Sequence, residues 1–259
     1  VRRHDAGGGM MAEIVTWVMV SYFLSINLIY LLLMALSARA LVSNGHFREM
    51  EELPDAFSLL SPPISILVPA FNESRTIVAT VESLLQLSYA EFEVVVINDG
   101  SKDNMLEVLQ TRFALVPYPE AYRIQIPTQT VRAIYRSTLY PNLRVIDKEN
   151  GGKADSLNAG INASRYPLFC GVDADSILQR DSLQKVVKPF LRSPEMVATG
   201  GTIRAANGCD VSGGDVRQVA LPSNPWALFQ VMEYLRAFLF GRLGWSGLNA
   251  MLIISGAFG

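Results

Sequence analysis

The sequence predicts an α/β domain with a mainly parallel sheet and flanking helices, preceded by one transmembrane helix. Three features indicate this fold class: a long uncharged apolar run near the amino terminus, short runs rich in Val and Ile after residue 63, and segments between those runs whose apolar residues have helical spacing. Residues 14–38 contain no Asp, Glu, Lys, Arg or His. As a helix they would extend roughly 37 Å, which is enough to cross a bilayer with some tilt.

Strand and helix patterns begin to alternate at Ile64, directly after the stiff Ser61-Pro62-Pro63 segment. Short apolar runs are typical of buried parallel strands, and they fall at 64–68, 92–97, 143–146 and 168–172. Helices are predicted around Ile77, Val81, Leu84 and Leu85, and at 103–113, 153–161 and 180–191. We expect Asn72 or Ser74 to cap the first of these helices. The alternation predicts βαβ units and therefore a mainly parallel sheet.

The chain divides into five predicted regions: a tail at 1–13, the transmembrane helix at 14–38, a linker at 39–63, the α/β domain at 64–224 and a carboxyl-terminal region at 225–259. The stretch between residues 113 and 143 holds four prolines and no clear period, so we expect an irregular insertion over the membrane or the substrate. Residues 226–240 are largely apolar, with only Glu233 and Arg236 charged. They predict a helix that lies at a membrane interface or packs into a core.

Composition narrows the class of protein. Hydrophobic residues make up 50% of the chain and charged residues 18%, with a mean hydropathy of +0.24, which suits a domain attached to a membrane segment. The net charge is −2 and Lys and Arg form no stripe, so we expect no nucleic-acid partner. Cys170 and Cys209 have no CxxC spacing, and we interpret them as small core residues of a protein from a reducing compartment.

Charges around the apolar run bear on its orientation in the membrane. Arg2 and Arg3 precede the run, and Arg39 and Arg48 follow it. If translation starts at the tandem methionines 10 and 11, only Glu13 is charged before the run. The positive-inside rule then places the α/β domain in the cytoplasm.

Polar residues follow three of the predicted strands, at the sheet edge where ligands of open α/β sheets bind. Asp173 and Asp175 are two residues apart, so at an extended strand end both carboxylates would face one way and could share a divalent cation. A surface pair of aspartates is the alternative. Ile177 occupies the place where an EF-hand loop needs a third oxygen ligand, which excludes that motif.

Residues 150–153, with the sequence NGGK, place flexible backbone and an ammonium group at the start of a predicted helix. This arrangement suits contact with a phosphate. It is not a P-loop, because Asp147 and Ala154 stand where that motif needs Gly and Ser or Thr.

Taken in order, the segments PAFNE, INDGS, GGKADSLNAG and VDADS resemble the family 2 glycosyltransferases of GT-A fold, over residues 64–259. The later segment ATGGTIRAANG and the stretch from Glu233 to Gly259 resemble the membrane-bound processive branch, which contains cellulose, chitin, hyaluronan and poly-N-acetylglucosamine synthases. The resemblance implies an inverting enzyme that moves N-acetylglucosamine or glucose from a UDP-sugar donor to a growing polysaccharide. It implies a location at the cytoplasmic face of the cell membrane, in contact with the lipid bilayer.

The resemblance also assigns roles to residues of the nucleotide side. The nucleotide would be bordered by Pro69, Ala70, Phe71 and Glu73. Asp99 would accept a hydrogen bond from the uracil ring.

The remaining assigned roles concern the diphosphate, the sugar and the acceptor. Lys153 and Asp155 would flank the phosphates and sugar of the donor. Asp173 would lie near the ribose and the metal, and Asp175 would be the main ligand of a Mg²⁺ or Mn²⁺ ion, so these two would be the catalytic residues present. A hard cation there would stabilise the diphosphate as the sugar leaves. The acceptor path would be lined by Ser255, Gly256 and Ala257.

Two family motifs are missing from the sequence: the acidic motif that supplies the general base, and Gln-x-x-Arg-Trp. Asp210, Asp215 and Glu233 are poor substitutes, because the first two lie in a Gly-rich stretch and Glu233 is expected to pair with Arg236. We therefore expect a fragment of a longer enzyme. Two alternatives stay open: a transferase that uses a polyprenyl-phosphate acceptor, and a non-catalytic, membrane-anchored protein that binds a nucleotide sugar.

Overall fold

The computed structural model describes residues 6–47, 61–122, 124–212, 214–248 and 254–259, which belong to two compact units. The smaller unit is drawn from residues 1–52 and 229–252, and the larger from 53–228 and 253–259. The helices are α1 Ala6–Phe47, α2 Ile77–Leu85, α3 Met105–Phe113, α4 Lys153–Ala163, α5 Ser182–Arg192, α6 Pro225–Leu235 and α7 Leu243–Gly247, with a π-helical segment Arg236–Arg242 before α7. The strands are β1 Ile64–Ala70, β2 Phe92–Asp99, β3 Leu115–Pro117, β4 Val131–Ser137, β5 Leu143–Lys148, β6 Leu168–Gly171, β7 Asp210–Ser212 and β8 Asp215–Gln218.

In the smaller unit, α1 is one helix of 42 residues, and residues 9–42 of it are long and apolar enough to cross a membrane by length and composition. The helix extends beyond the predicted span of 14–38 at both ends, because residues 6–13 and 39–47 continue it. No proline interrupts residues 6–47, so nothing in the backbone stops the helix at the ends of the apolar run. The rest of the predicted linker, 48–60, lies outside the described residues.

The segment 226–240, predicted as a single helix, is divided between α6 and the π-helical turn that follows it. In the smaller unit, the π-helical segment and α7 pack against α1. Gly244 permits this packing, because a Cβ atom there would lie 2.9 Å from the carbonyl oxygen of Leu33. The guanidinium of Arg236 lies 5.8 Å from the ring centre of Tyr30 and donates from Nε to Glu233 at 3.0 Å, so the predicted Glu233–Arg236 pair is confirmed.

The larger unit contains a six-stranded sheet in the order β3-β4-β5-β2-β1-β6. β5, β2, β1 and β6 are parallel, with Val96 opposite Val68 on one side and Val145 on the other. The predicted mainly parallel sheet is therefore confirmed. β3 and β4 are antiparallel, and they lie in the stretch for which no strand was predicted. β4 lies near the sheet edge with most of its residues partly exposed, so it lacks the continuous apolar run that marks a buried strand.

Each face of the sheet carries a layer of buried apolar side chains. One face packs against α2, α3 and α5, and its layer includes Cys170, as predicted for a small core residue. The other face is covered by α4 and has a smaller core, made of Leu67, Val95, Ile97, Ile134, Ile146, Ala159 and Ala163. Gly160 lets α4 approach closely, because a Cβ atom there would lie 3.1 Å from side-chain atoms of both Ile97 and Leu67.

Three strands continue beyond their predicted ends. β2 runs to Asp99 and β5 to Lys148, because hydrogen bonding to neighbouring strands does not stop where the side chains become polar. β1 runs through Pro69 to Ala70. Neither Asn72 nor Ser74 caps α2, whose N-cap is Thr76. The prediction failed because Asn72 adopts a positive φ of 57° in the preceding turn.

Candidate functional site

The carboxyl ends of β1, β2 and β5 meet at one edge of the sheet because these strands are parallel and neighbouring. α4 begins at the same edge with Lys153 and runs back over the sheet. This edge gathers side chains from four separate segments of sequence. It is where ligands of open α/β sheets bind.

Asp99, the last residue of β2, is held by donors from the loop before α4. Its side-chain oxygens accept from the N–H of Gly151 at 2.9 Å, the N–H of Gly152 at 2.7 Å, Lys148 Nζ at 2.6 Å and Asn150 Nδ2 at 3.2 Å. Burial by itself would raise the pKa of the Asp99 carboxyl, but the hydrogen bonds from Lys148 and the two glycine amides outweigh it and place the pKa below its ordinary value. The resulting carboxylate organises the 150–152 loop. Its predicted contact with uracil stays a prediction.

Lys148 is a functional candidate that the sequence analysis missed, because the predicted strand ended before it. Its ammonium is fully buried and contacts Asp99 Oδ1, Asp155 Oδ2 and the carbonyl oxygen of Glu149, each at 2.6 Å. The sequence contains a signal that could have identified Lys148. Asp99 and Lys148 end two neighbouring parallel strands with opposite charges, and the register places them directly opposite each other.

Asp155, in the first turn of α4, connects this cluster to the stretch before β4. Its Oδ1 accepts from the backbone N–H of Gln129 at 3.0 Å. Further along α4, Asn162 Oδ1 accepts from the N–H groups of Gln125 and Ile126 at 3.0 Å. Part of the predicted insertion is therefore fastened to α4. Its predicted place over the membrane or the substrate stays untested.

The residues after β1 form a turn that is fastened to the residues after β2. The N–H of Asn72 donates to Ser101 Oγ at 3.0 Å, and Asn72 Oδ1 accepts from the N–H of Lys102 at 2.8 Å. Phe71 is 44% exposed beside this turn, and Glu73 accepts from Thr76 Oγ1 at 2.6 Å.

Pro69 and Ala70 are the last two residues of β1, in register with Ile97 and Asn98. The four residues predicted to border a nucleotide thus lie at the same sheet edge as Asp99, as consecutive parts of one strand end and turn.

Asp173 and Asp175 follow β6, but not on an extended strand. The strand ends at Gly171, and Asp173 begins a turn in which its carbonyl oxygen accepts from the N–H of Ser176 at 3.0 Å. The geometric reason for a shared cation, two carboxylates on one strand face, was therefore wrong. Asp173 is partly buried and its carboxylate is bound by Lys153 Nζ, whereas Asp175 is exposed.

Residues 254–259 lie alongside the end of β6. Gly171 and Gly259 exchange two backbone hydrogen bonds, of 2.8 and 3.2 Å, and the N–H of Asp173 donates to the carbonyl oxygen of Ala257 at 3.3 Å. Lys153 Nζ also donates to the carbonyl oxygen of Gly256 at 3.0 Å. Lys153 therefore joins Asp173 to the Ser255–Ala257 segment that was predicted to line an acceptor path.

The negatively charged groups at this end of the site are carboxylates, and carboxylate oxygens are suitable ligands for a hard divalent cation. Asp175 offers an exposed carboxylate, and Asp173 would have to share its own with Lys153. No cluster of three or more His, Cys, Asp or Glu side chains able to hold a metal occurs among the described residues. A cation here would thus need further oxygen ligands from a bound molecule or from water.

Comparison with known proteins gives a family and several relatives. The family model described as Glycosyl transferase family 2 matches residues 65–218. The poly-beta-1,6-N-acetyl-D-glucosamine synthase of Staphylococcus epidermidis is 30% identical over 151 residues, covering 58% of this chain and 31% of the relative. The synthase of the same name from Staphylococcus aureus strain COL is 30% identical over 150 residues, with the same shares. The chain spans about a third of the length of these curated relatives.

Solved structures with a related fold include S. aureus TarS 1–349 in complex with UDP-GlcNAc. It has a TM-score of 0.37 and 22% identity, covering 50% of this chain and 31% of that chain. The mannosyltransferase PcManGT from Pyrobaculum calidifontis, in complex with GDP-Man and Mn²⁺, has a TM-score of 0.41 and 20% identity, covering 62% of this chain and 45% of that chain.

Proposed function

Because the chain belongs to glycosyl transferase family 2, with a GT-A-like α/β fold, we propose that it carries the donor site of an inverting glycosyltransferase. The enzyme moves N-acetylglucosamine or glucose from a UDP-sugar to a growing polysaccharide at a membrane. N-acetylglucosamine is the first choice, because relatives at 30% identity are named poly-N-acetylglucosamine synthases.

The observation that carries the proposal is the convergence of two different kinds of group at one sheet edge. On one side, the carboxylate of Asp99 and the turn at 69–73, which the proposal assigns to the nucleoside, lie together at the carboxyl ends of β1 and β2. On the other, Lys153 presents its ammonium to Asp173, next to the exposed Asp175. Recognition of a nucleoside diphosphate needs both a polar pocket for the base and a cationic region for the diphosphate.

Lys153 stands at the amino end of α4, so its charge and the helix dipole both favour an anion there. A diphosphate would compete with Asp173 for this ammonium. Asp173 would then be free to share a cation with Asp175 and the phosphate oxygens. Bound Mg²⁺ or Mn²⁺ would supply charge stabilisation for the departing diphosphate.

An inverting transfer in one displacement also needs a base that takes the proton from the acceptor hydroxyl. Glu233 is paired with Arg236, and Asp215 lies 3.6 Å from Arg180, so neither is assigned this role. No residue that the structure describes is assigned as the base. The donor side of the reaction is what these residues support.

The apolar helix α1 supports attachment to the cell membrane, with the sheet on the cytoplasmic side. The orientation rests on Arg39 and Arg48, which follow the apolar run. A reporter fused at the amino terminus tests it. Activity of the reporter on the external side agrees with the proposal, and activity in the cytoplasm contradicts it.

The binding proposal is tested by calorimetric titration of the full, detergent-solubilised chain with UDP, with and without Mn²⁺. Wild type is expected to bind UDP more tightly with Mn²⁺, and the Asp175→Ala variant to lose that difference. The matched control is Asp210→Ala, which removes an exposed aspartate from the β7–β8 hairpin and should keep the metal dependence. Absence of UDP binding by folded wild type would overturn the proposal.

A transfer assay then separates the acceptors. UDP-GlcNAc and UDP-glucose are supplied with oligosaccharide or with polyprenyl phosphate. Transfer to the oligosaccharide supports a polysaccharide synthase, and transfer to polyprenyl phosphate supports the lipid-acceptor alternative. Binding without transfer to either acceptor is expected both of an enzyme fragment that lacks its base and of a nucleotide-sugar-binding protein.

A further inference from the structure

β5 carries two buried cations on the sheet face that α4 covers. Arg144 and Lys148 are four residues apart, so both side chains lie on the same face, with Ile146 between them in the apolar core of that face. Arg144 is 1% exposed and Lys148 is fully buried. A buried charge is tolerated only when it is paired and hydrogen-bonded, so both need acidic partners.

The cation at the amino end of the strand has partners away from the candidate site. Arg144 donates to Glu93 Oε2, Glu120 Oε2 and the carbonyl oxygen of Ala163, each at 2.7 Å. These contacts join β2, the stretch after β3 and the end of α4. They stabilise the fold at the amino-terminal ends of the parallel strands, opposite the carboxyl ends where Asp99 lies.

The cation at the carboxyl end has partners within the candidate site. Lys148 bridges Asp99 and Asp155, which are two separate charged groups of that site. Asp99 in turn accepts from the N–H groups of Gly151 and Gly152. Without the ammonium, the buried carboxylate of Asp99 and the partly buried carboxylate of Asp155 would face each other, and their repulsion would displace one of them.

We propose that Lys148 is a positioning residue of the donor site, which holds Asp99 and Asp155 together and thereby fixes the Gly151–Gly152 backbone before Lys153. The proposal rests on the donor site assigned above. Lys148 is not expected to contact the nucleotide sugar, because its three N–H groups are used by Asp99, Asp155 and the Glu149 carbonyl. It acts through the loop that leads to the phosphate-facing ammonium of Lys153.

The test compares Lys148→Met with Arg144→Met, since each removes one buried cation of the same strand. Both variants are expected to unfold at lower urea concentration. Only Lys148→Met should also speed hydrogen exchange at the Gly151 and Gly152 amides, by about tenfold or more, and weaken UDP binding by the folded protein at least about threefold. Lys148→Met is also made in an Asp155→Asn background. There the negative charge of one carboxylate is removed together with the cation, so the loss of stability is expected to be smaller. This double variant is compared with Asp155→Asn alone.

Amide exchange decides the positioning role independently of UDP. Unchanged exchange at Gly151 and Gly152 in a folded Lys148→Met variant, in either background, overturns the inference. Equal acceleration in Arg144→Met overturns it as well, because the effect would then follow from lost stability. If wild type does not bind UDP, the proposed function fails, and the exchange data still show whether Lys148 orders the loop.

Discussion

The carboxylate of Asp99 accepts a hydrogen bond of 2.7 Å from the backbone N–H of Gly152, a residue with φ of +88°. A side chain at position 152 would be strained in this conformation, so glycine allows the amide to point at the end of β2. The contact links a strand end to the start of α4 across 53 positions of sequence. The geometry of the candidate site depends on this loop staying in place.

Replacing Asp99 by Asn should lower stability at neutral pH by about 1–3 kcal/mol, because hydrogen bonds to a charged acceptor are lost and Lys148 keeps only one carboxylate partner. The pKa of Asp99 in the folded protein is lowered, so its stabilisation is present above the unfolded pKa of about 3.9 and is lost as the pH falls through the folded pKa. Urea unfolding at pH 7, 5 and 3 should show wild type and variant converging below about pH 4.

The control is Asn150→Ala, which removes a donor to Asp99 without removing a titrating group. The loss of stability caused by Asn150→Ala should be the same at pH 7 as at pH 5. If Asp99→Asn and wild type stay equally far apart at pH 3, the lowered pKa is wrong.

Replacing Lys153 by Met should weaken UDP binding roughly ten- to a hundredfold, since a charge-assisted contact with phosphate is worth about 1.5–3 kcal/mol. Binding of uridine, which has no phosphate, should stay unchanged. Calorimetric titration measures both. Lys185→Met is the control, because Lys185 pairs with Asp181 on the surface of α5. Equal losses in the two variants would contradict a specific role for Lys153.

The two cysteines should differ in reactivity toward a maleimide. Cys170 is 2% exposed, and burial raises the pKa of its thiol to about 12, so almost no thiolate is present at neutral pH. Cys209 is only partly buried. Mass spectrometry of the labelled native chain should find one fast-reacting thiol, at Cys209, and two after denaturation. Rapid native labelling at Cys170 would show that the sheet near β6 opens easily.

Replacing Gly160 by Val should lower stability by about 1–3 kcal/mol, because α4 has no space for a larger side chain against Leu67 and Ile97. Ala154→Val introduces the same side chain at an exposed position of the same helix and should cost roughly 0.5 kcal/mol. Chemical unfolding of both variants gives the comparison. A loss in Gly160→Val no larger than that in Ala154→Val would contradict the close packing at position 160, because helix propensity by itself favours Val over Gly.

The parallel strands were predictable from the sequence because a strand buried on both faces is largely apolar. β1 and β2 show this as runs of Ile, Leu and Val, in which Ser65 and Glu93 are buried polar exceptions. β4 could not be found in the same way, since it is partly exposed near the sheet edge and its pairing with β5 depends on distant residues. α1 ran beyond its prediction because the apolar run marks a candidate membrane span and not the limits of the helix.

The sequence by itself determined which residue types can perform the chemistry, and in what order they occur: an aspartate after β2, a glycine pair with a lysine, and two aspartates after β6. Tertiary structure alone decided their partners. Asp99 binds backbone amides, Asp173 is held by Lys153, and the unpredicted Lys148 joins Asp99 to Asp155. The reason is physical: side-chain chemistry is local to each residue, whereas the neutralisation of a buried charge depends on which distant groups the sheet register and the helix packing bring to it.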